Sequence, residues 1–560
     1  MRIPTETKKF LHWAHETIEV CRTSASKRAQ EARTLRGWRY TGSDSGEHSL
    51  YNYLDSHLER LASYLFSPTD LRFHLEFENR YTPDILQRAE VASRILTREF
   101  ERRDIDLTFA DGVDTALSFG AAIPKVLWGH GGVSLRLVMP WQFGVWREDL
   151  NDLGDQEAMT ETVYITLDDL WRRVSHLRDA QDIMKKAHSW LKKRPTDDDI
   201  SPFQALVLTG SSPAIQTSQP YSQQVGGNVL GSGSISGSPE VEVQVIPLHE
   251  VWVIDDERQD YSTFQFVGDD IPISRMDKRG NMFVKDYHPY GFIQANRMQG
   301  YLWGRSELEP LLKLQNMMTE RLEDIRRVMS LQYDRIFAFT GFSGMNDENY
   351  DQFRTAGWIA NENPGAKVED LTPKLPEAAF SEIESIMKFM EQTSGFSNIL
   401  SGQGEPGVRA GNHAETLLKT ASPRLRDRAL VIERQCADVA DKVFRVMRAK
   451  NPQAYWTDPK NDKTDFTLET GIPDDFRVSV DSHSSSPIYQ DDHAQLAAFL
   501  LKSQVIDGES VLDMLPVPTR DLLKEKWKVM QEQKAKFMKE HPELLHKGGH
   551  HGGSHGGHQG

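Results

Sequence analysis

The chain has 560 residues, 66 of them basic and 82 acidic, with a formal net charge of −16. This length predicts roughly two to four domains, and a hydrophobic content of 38% suits an elongated subunit that buries surface against neighbours. No apolar run approaches the ~20 residues that span a bilayer. Residues 1–6 lack the apolar segment of a signal peptide. The two cysteines, Cys21 and Cys436, exclude a disulfide framework and a cysteine-based zinc site.

The N-terminal region, to about residue 300, has the mixed pattern of an α+β fold. Apolar periodicity predicts four helices and then a strand. In chain order they cover Lys9–Ala32, Ser49–Leu65, Pro83–Arg102, Asp111–Gly120 and Lys125–Trp128. Residues 211–239 are rich in Ser, Gly and Gln and carry almost no charge, which predicts a flexible insertion.

A faint internal repeat follows within this region. Val138-Met139-Pro140 precedes two acidic residues at the same offsets as Val245-Ile246-Pro247 does. Each copy predicts a strand, a proline turn and a second strand. Two unrelated hairpins would give the same pattern, so they stay open as the alternative to a true repeat.

Three long amphipathic helices are predicted between residues 301 and 450. They cover Arg305–Arg335, Glu377–Gln392 and His413–Lys450, each with apolar residues three and four apart. Pro423 divides the third helix, either as a kink or as the first position of a new segment. A strand-like block, 336–375, separates the first two helices, and a Gly-rich polar loop, 394–411, separates the last two.

Motifs that carry chemistry are weak in this chain. Gly402, Gly404 and Gly407 satisfy G-x-G-x-x-G, but the strand before them is too short and Pro406 interrupts the turn. No P-loop and no H-E-x-x-H motif occurs. Asp197–Asp199 is better explained as a solvated acidic turn than as a cation site. The His-rich tail from His546 is disordered by composition; it could hold a transition metal or have no structural role, and both alternatives stay open.

The order of these segments resembles the portal protein of tailed bacteriophages, the ring through which DNA enters the head. The resemblance starts at Gly300-Tyr301-Leu302-Trp303-Gly304-Arg305-Ser306-Glu307-Leu308, which is similar to the entry of the first stem helix in many portals. It implies an α+β, helix-rich subunit with wing, stem, clip and crown. The implied domains are an N-terminal wing domain over 1–303, a first stem helix 304–335, a clip 336–375, a second stem helix 376–393, a tunnel loop 394–411, a kinked spine helix 412–451, wing strands 452–489, crown helices 490–545 and a tail 546–560.

Within the clip, strands are predicted near Arg335–Phe339 and Trp358–Asn361, around a short helix near Asn346–Phe353. The crown is predicted from Asp507-Gly508-Glu509-Ser510-Val511-Leu512 and the charged helix after it, to about Glu540. No single one of these motifs is diagnostic of the family.

The resemblance also implies a function and partners. Such a subunit forms a homo-oligomeric ring of about twelve copies at one capsid vertex, and double-stranded DNA passes through the channel during packaging and ejection. The implied partners are the terminase large subunit, capsid and scaffolding proteins and a tail adaptor, with no membrane. No enzyme activity and no cofactor or metal are expected, since ATP hydrolysis in this family belongs to the separate terminase.

Three groups of residues are the candidates for these roles. Tunnel-loop residues expected at the DNA channel are Gly402, Gln403, Gly404, Glu405 and Arg409. Aromatic residues expected to dock partners on the clip are Tyr350, Phe353 and Trp358, although they also suit the module's own core. Basic residues expected at subunit contacts are Arg326, Arg327, Arg424, Arg426 and Arg428, and a solvated helix face is the alternative for the last three.

A second function class stays open from the sequence. An α-rich scaffold or adaptor of a viral particle, other than a portal, could use the same helices to form oligomers. The global charge does not decide between the two classes, because a net charge of −16 provides no overall basic surface for gripping DNA.

Overall fold

The computed structural model describes most of the chain up to residue 503. The described residues are 1–4, 6–43, 49–66, 73–77, 83–129, 132–193, 245–268, 271–273, 280–333, 335–342, 346–356, 363–395, 423–451, 455–457, 465–467, 476–480, 497–503, 508, 511, 526–527 and 529–530. They form a mixed fold of helices and antiparallel sheets, which confirms the predicted α+β class. Two regions are distinguished below, a body and a helical hairpin that spans residues 312–394.

An antiparallel five-stranded sheet forms one half of the body. Its strands, in spatial order, are β4 (Phe143–Val145), β5 (Ala158–Thr166), β6 (Val245–Asp255), β7 (Asp260–Val267) and β8 (Ile271–Pro272). The register places Ala158 opposite Val253 and Leu248 opposite Val267. Strands β2 (Ile123–Gly129) and β3 (Gly132–Val138) form a separate antiparallel hairpin that precedes β4 in the chain.

Helices cover this sheet with apolar side chains. Helix α1 (Thr7–Thr41) packs Phe10, Ile18 and Cys21 against Phe264 and neighbouring residues of the sheet. The short pair α5 (Leu167–Val174) and α6 (Ala180–Lys193) forms its own apolar cluster with β5, β6 and β7.

The other half of the body is a helical core. It combines α2 (Tyr53–Leu65), α3 (Pro83–Arg102), α4 (Ile105–Phe119) and α10 (Pro423–Lys450) in one apolar cluster. The two-stranded sheet of β1 (Phe73–Phe77) and β13 (Phe476–Val480) contributes Phe73 and Phe476 to it. Strands β11 (Tyr455–Thr457) and β12 (Asp465–Thr467) pair with each other.

The hairpin leaves the body as α7 (Leu312–Tyr333) and returns as α9 (Ala379–Ser394). Between these helices lie β9 (Phe337–Thr340), α8 (Asp347–Ala356) and β10 (Lys367–Asp370). Strands β9 and β10 pair antiparallel, with Phe339 opposite Val368. The three elements are called the tip module below.

The helix predictions that fall on described residues are confirmed in type, and their bounds differ for identifiable reasons; most of the predicted crown, 490–545, and the predicted insertion, 211–239, lie outside the described residues. The helix predicted from Arg305 begins only at Leu312, because residues 305–311 are held in turns by hydrogen bonds to α4 and contain Pro310. The second helix runs two residues further than predicted and ends at Gly395, whose φ of 74° is typical of a glycine C-cap. The third is described from Pro423; residues 413–422 lie outside the described residues.

In the N-terminal region, α1 continues nine residues beyond the predicted end. Ala32, Leu35 and Trp38 extend its buried face at intervals of three, which the prediction overlooked. Helix α4 begins six residues earlier than predicted, directly after Asp104, whose φ of 51° separates it from α3.

Two strand predictions need correction. The predicted repeat is wrong for its second copy, since β6 continues through Pro247 as one strand. Pro247 lies one residue outside the β6–β7 register, where its missing N–H costs no pairing with β7. In the clip, the partner of β9 is Lys367–Asp370, a strand that the sequence analysis missed; the predicted range 358–361 lies outside the described residues.

Candidate functional site: the helical hairpin

The hairpin begins at a tightly packed base formed by residues 300–311. The peptide backbones of Gly120 and Gly304 approach each other so closely that a Cβ on Gly304 would lie 2.9 Å from the carbonyl oxygen of Gly120. Both glycines have positive φ angles, 91° and 71°. Ser306 Oγ donates a hydrogen bond of 2.6 Å to the carbonyl oxygen of Ser118. The motif 300–308 therefore serves as the attachment of the hairpin to α4.

A buried carboxylate ties this base to two other helices. Glu307 accepts a hydrogen bond of 2.9 Å from Asn296 Nδ2 and lies 3.2 Å from a guanidinium nitrogen of Arg428 on α10. His57 of α2 places Nε2 at 3.9 Å from the other carboxylate oxygen. The side chains of Glu307 and Arg428 are only 3% and 6% exposed. Burial alone raises the pKa of Glu307, but His57 and Arg428 outweigh it, so the pKa lies below its usual value.

Gln315 fixes the first turn of α7 to the body. Its Nε2 donates to the carbonyl oxygen of Tyr51 at 2.9 Å, and its Oε1 accepts from the backbone N–H of Tyr53 at 3.2 Å. The sequence analysis placed Gln315 in an apolar seam, and it is fully buried as that seam requires. Its amide satisfies backbone groups at the start of α2, a role that periodicity alone does not reveal.

Beyond the base, α7 and α9 pack mainly against each other. Of the 22 residues of α7, only Gln315, Met318, Thr319 and Ile325 are buried, and α9 buries Ile386, Met390 and Ser394. At ~1.5 Å rise per residue, α7 is roughly 33 Å long. Within the described residues, no element of the body packs extensively against the tip module.

One side of the helix pair carries exposed apolar residues around an ion pair. Arg321 Nε on α7 lies 2.8 Å from Glu382 Oε1 on α9. Met317 is one turn before Arg321, and Phe389 is two turns after Glu382, so all four residues share one side of the pair. Met317 is 45% exposed and Phe389 is 55% exposed. We call these four residues the bridged side.

A second set of exposed apolar residues lies where the helices meet the tip module. Gln332 Nε2 reaches the carbonyl oxygen of Pro373 at 3.4 Å, and the backbone N–H of Leu371 donates to the carbonyl oxygen of Ile336 at 2.9 Å. The exposed large apolar residues of this junction are Met329, Tyr333, Ile336, Leu371 and Phe380. Five exposed large apolar side chains this close together are unusual for a protein surface that contacts only water.

The tip module holds a cluster of five aromatic rings. Phe337 and Phe339 of β9 contact Phe353 of α8 with ring centroids 5.0 and 5.3 Å apart. Tyr350 lies 6.1 Å from Phe339, and Phe342 completes the group. All five rings are partly exposed. The structure therefore places Tyr350 and Phe353 in the module's own core, and partner docking there stays a prediction.

The other predicted site residues lie either on α7 and α10 or outside the described residues. Arg326 and Arg327 are exposed on α7. Arg428 reaches Glu307 of its own chain, a pairing that the sequence analysis missed, and its subunit contact stays a prediction. Arg424 and Arg426 lie in α10, but their side chains are outside the described portion of the structure. Also outside it are Trp358, Gly402, Gln403, Gly404, Glu405 and Arg409.

The body contains a second charged cluster, at the contact of β2 and β3 with the large sheet. Lys125 Nζ lies 2.6 Å from both Glu161 Oε2 and Glu250 Oε1, and Arg136 pairs with the other oxygen of Glu161. Tyr290 donates to Glu161 at 3.1 Å. Two cations therefore balance two carboxylates, as a structural network requires.

Among the residues that the structure describes, no three His, Cys, Asp or Glu side chains are grouped so that they could hold a metal ion. Both cysteines are buried and unpaired with each other. In the same residues, no helix combines the length and apolar character needed to cross a membrane.

Comparisons with known proteins give distant structural likenesses. No family model matches the chain, and no curated protein matches it. A chain in the neck of an empty gene transfer agent particle, computed with C6 symmetry, has a TM-score of 0.41 and 9% identity, over 87% of this chain and 94% of that chain. A chain in the virion of the native gene transfer agent particle has a TM-score of 0.39 and 9% identity over the same shares. Likenesses this distant do not assign a function.

Proposed function

We propose that the chain is a portal-type subunit of a phage-like particle, which forms a ring at one capsid vertex and conducts double-stranded DNA. The observation that carries this proposal is the hairpin of residues 312–394. It is anchored at a buried base, stays largely uncovered along its helices and ends in a separate tip module. A projecting element of this kind suits a stem that is completed by neighbouring copies.

The bridged side supports the idea of a copy-to-copy contact. Met317 and Phe389 leave apolar surface exposed beside the Arg321–Glu382 pair, and such a mixture of apolar and charged groups is typical of subunit interfaces. In a cyclic ring the contact is heterologous, so the bridged side of one copy faces a different surface of the next. The expected partners are then DNA in the channel, a terminase at the tip module, capsid and scaffolding proteins, and a tail adaptor.

The assembly state tests the proposal directly. Native mass spectrometry and negative-stain electron microscopy of the purified chain, alone and with its particle's scaffolding protein, should give closed rings of about twelve copies. A defined dimer or small oligomer without a central hole under both conditions would contradict the proposal and favour a scaffold or adaptor.

Two variants test whether ring formation depends on the hairpin. Met317→Ser combined with Phe389→Ser should shift the mass distribution from rings towards single chains. Leu107→Ser is the matched control, because Leu107 on α4 is an apolar side chain of similar exposure, 53%. If the Leu107 variant lowers the mass and the hairpin variant does not, the contact between copies lies on the body.

A further inference from the structure

The helix pair α5–α6 carries a concentration of positive charge that the proposed conduit does not use. From Leu167 to Lys193 there are seven basic and four acidic residues, a net charge of +3, whereas the whole chain has a net charge of −16. The exposed cations that define this α5–α6 basic patch are Arg172, Arg173, Arg178, Lys185, Lys186 and Lys192. A local excess this strong in an acidic chain calls for a specific explanation.

The patch stands on a rigid support. Leu170 and Val174 of α5 and Ile183 and Ala187 of α6 are buried against β5, β6 and β7. The buried side of each helix therefore faces the sheet, and the cations are left on the outer side. A fixed array of charges loses less side-chain entropy on binding than charges on a mobile loop.

The cations differ in whether the protein already neutralises them. Arg172 lies 3.1 Å from Asp169, and Lys186 lies 3.0 Å from Asp182. Within the described residues, Arg173, Arg178, Lys185 and Lys192 have no carboxylate within 4.0 Å. Lys185 and Lys192 are seven residues apart, so they share one face of α6 about 10.5 Å apart along its axis.

The patch offers charge without an apolar anchor. Trp171, at 44% exposure, is the one large apolar side chain exposed in the described residues of α5 and α6. Protein partners bind through an apolar centre surrounded by polar groups, which this surface lacks. A duplex phosphate backbone needs only cations at suitable spacing, and guanidinium groups match phosphate oxygens in pairs.

We propose that the α5–α6 basic patch binds the phosphate backbone of double-stranded DNA without sequence preference. This inference goes beyond the conduit, since it places a DNA contact on the body and needs no ring. Binding neutralises a few phosphates and releases their counterions, so the affinity should fall steeply as salt is raised.

The test measures binding of the full chain to a fluorescent DNA duplex over a range of salt concentrations. Lys185→Gln combined with Lys192→Gln should weaken binding at low salt and reduce the magnitude of the slope of log K against log salt by about 1.8. The matched control, Lys367→Gln combined with Lys388→Gln, removes the same charge from exposed positions on the hairpin and should leave the slope unchanged.

A footprint locates the contact independently of affinity. Lysine acetylation read by mass spectrometry should show protection of Lys185 and Lys192 by the duplex, and no protection of Lys367. The proposal is overturned if both double variants change the slope equally, because binding would then follow total charge. It is also overturned if polyglutamate displaces the duplex at equal charge concentration, since the patch would then be a site for acidic proteins.

Discussion

Charged side chains are buried in the body, and large apolar side chains, which are exposed in places on both regions, are exposed most densely on the hairpin. In the body, Lys125 and Glu161 are 5% and 2% exposed, and each has its partners within the chain. On the hairpin, Tyr333 is 85% exposed and Phe389 is 55% exposed. The body therefore pairs its buried charged side chains within the chain. The hairpin exposes apolar side chains that another protein surface could bury.

This difference predicts opposite responses to substitution. A change in a buried network of the body should act on folding of the single chain, because a charge left without its partner is expensive in a low-dielectric interior. A change at the exposed apolar residues of the hairpin should act on assembly, because in the single chain these residues leave much of their surface in water.

The largest effect is expected at the buried network of the body. Lys125→Met leaves Glu161 and Glu250 without their shared ammonium group and should lower the free energy of unfolding by about 3–5 kcal/mol. Urea unfolding followed by circular dichroism measures the change.

Arg136 provides the control for this network. It also contacts Glu161, but its side chain is 43% exposed, so Arg136→Met should cost clearly less than Lys125→Met. Equal losses for the two variants would mean that the network does not depend on the buried ammonium group.

A smaller effect is expected at the base of the hairpin, and it depends on pH. The folded pKa of Glu307 lies below its ordinary value of 4.5, so its ionised form stabilises the fold above that pH. At pH 7, Glu307→Gln should cost about 1–3 kcal/mol. As the pH falls below 4.5, the unfolded chain takes up the proton first, and the advantage of the unsubstituted chain should shrink.

Glu309 is the control for that pH dependence. It lies two residues further on, is 45% exposed and pairs with Arg305 at 3.4 Å. Glu309→Gln should change stability little at either pH. A Glu307 variant whose deficit stays constant from pH 7 down to pH 3 would show that its carboxylate is not held by the neighbouring charge.

The sequence predicted the helices of both regions better than the short strands and the long-range contacts that connect them. Periodicity located α3 to the residue and α9 within two residues at each end, because an apolar stripe depends on local spacing, but it placed the start of α7 seven residues too early. It missed β10, whose four residues Lys367–Asp370 are all exposed and carry no apolar alternation. It also missed the pairing of Glu307 with Arg428, since 121 positions separate these residues and no local pattern records their contact.

In the candidate site, too, the contacts between elements were not predicted from the sequence. The sequence identified Tyr350 and Phe353, with Trp358, as residues of interest, but only the packing of α8 against β9 shows that the first two contact Phe339. The bridged side was not predicted, because it needs the relative rotation of two helices that are 61 residues apart at the Arg321–Glu382 pair.

The smallest effect on folding is expected on the bridged side. For chains diluted until they are single, Met317→Ser combined with Phe389→Ser should lower the free energy of unfolding by about 1 kcal/mol, since roughly half of each residue is already exposed to water. Met318→Ala is the matched control: the neighbouring side chain is fully buried, and its truncation should cost about 2–5 kcal/mol. Urea unfolding compares the two. If the exposed pair costs as much as Met318, the bridged side packs within its own chain, and another surface must then join the copies.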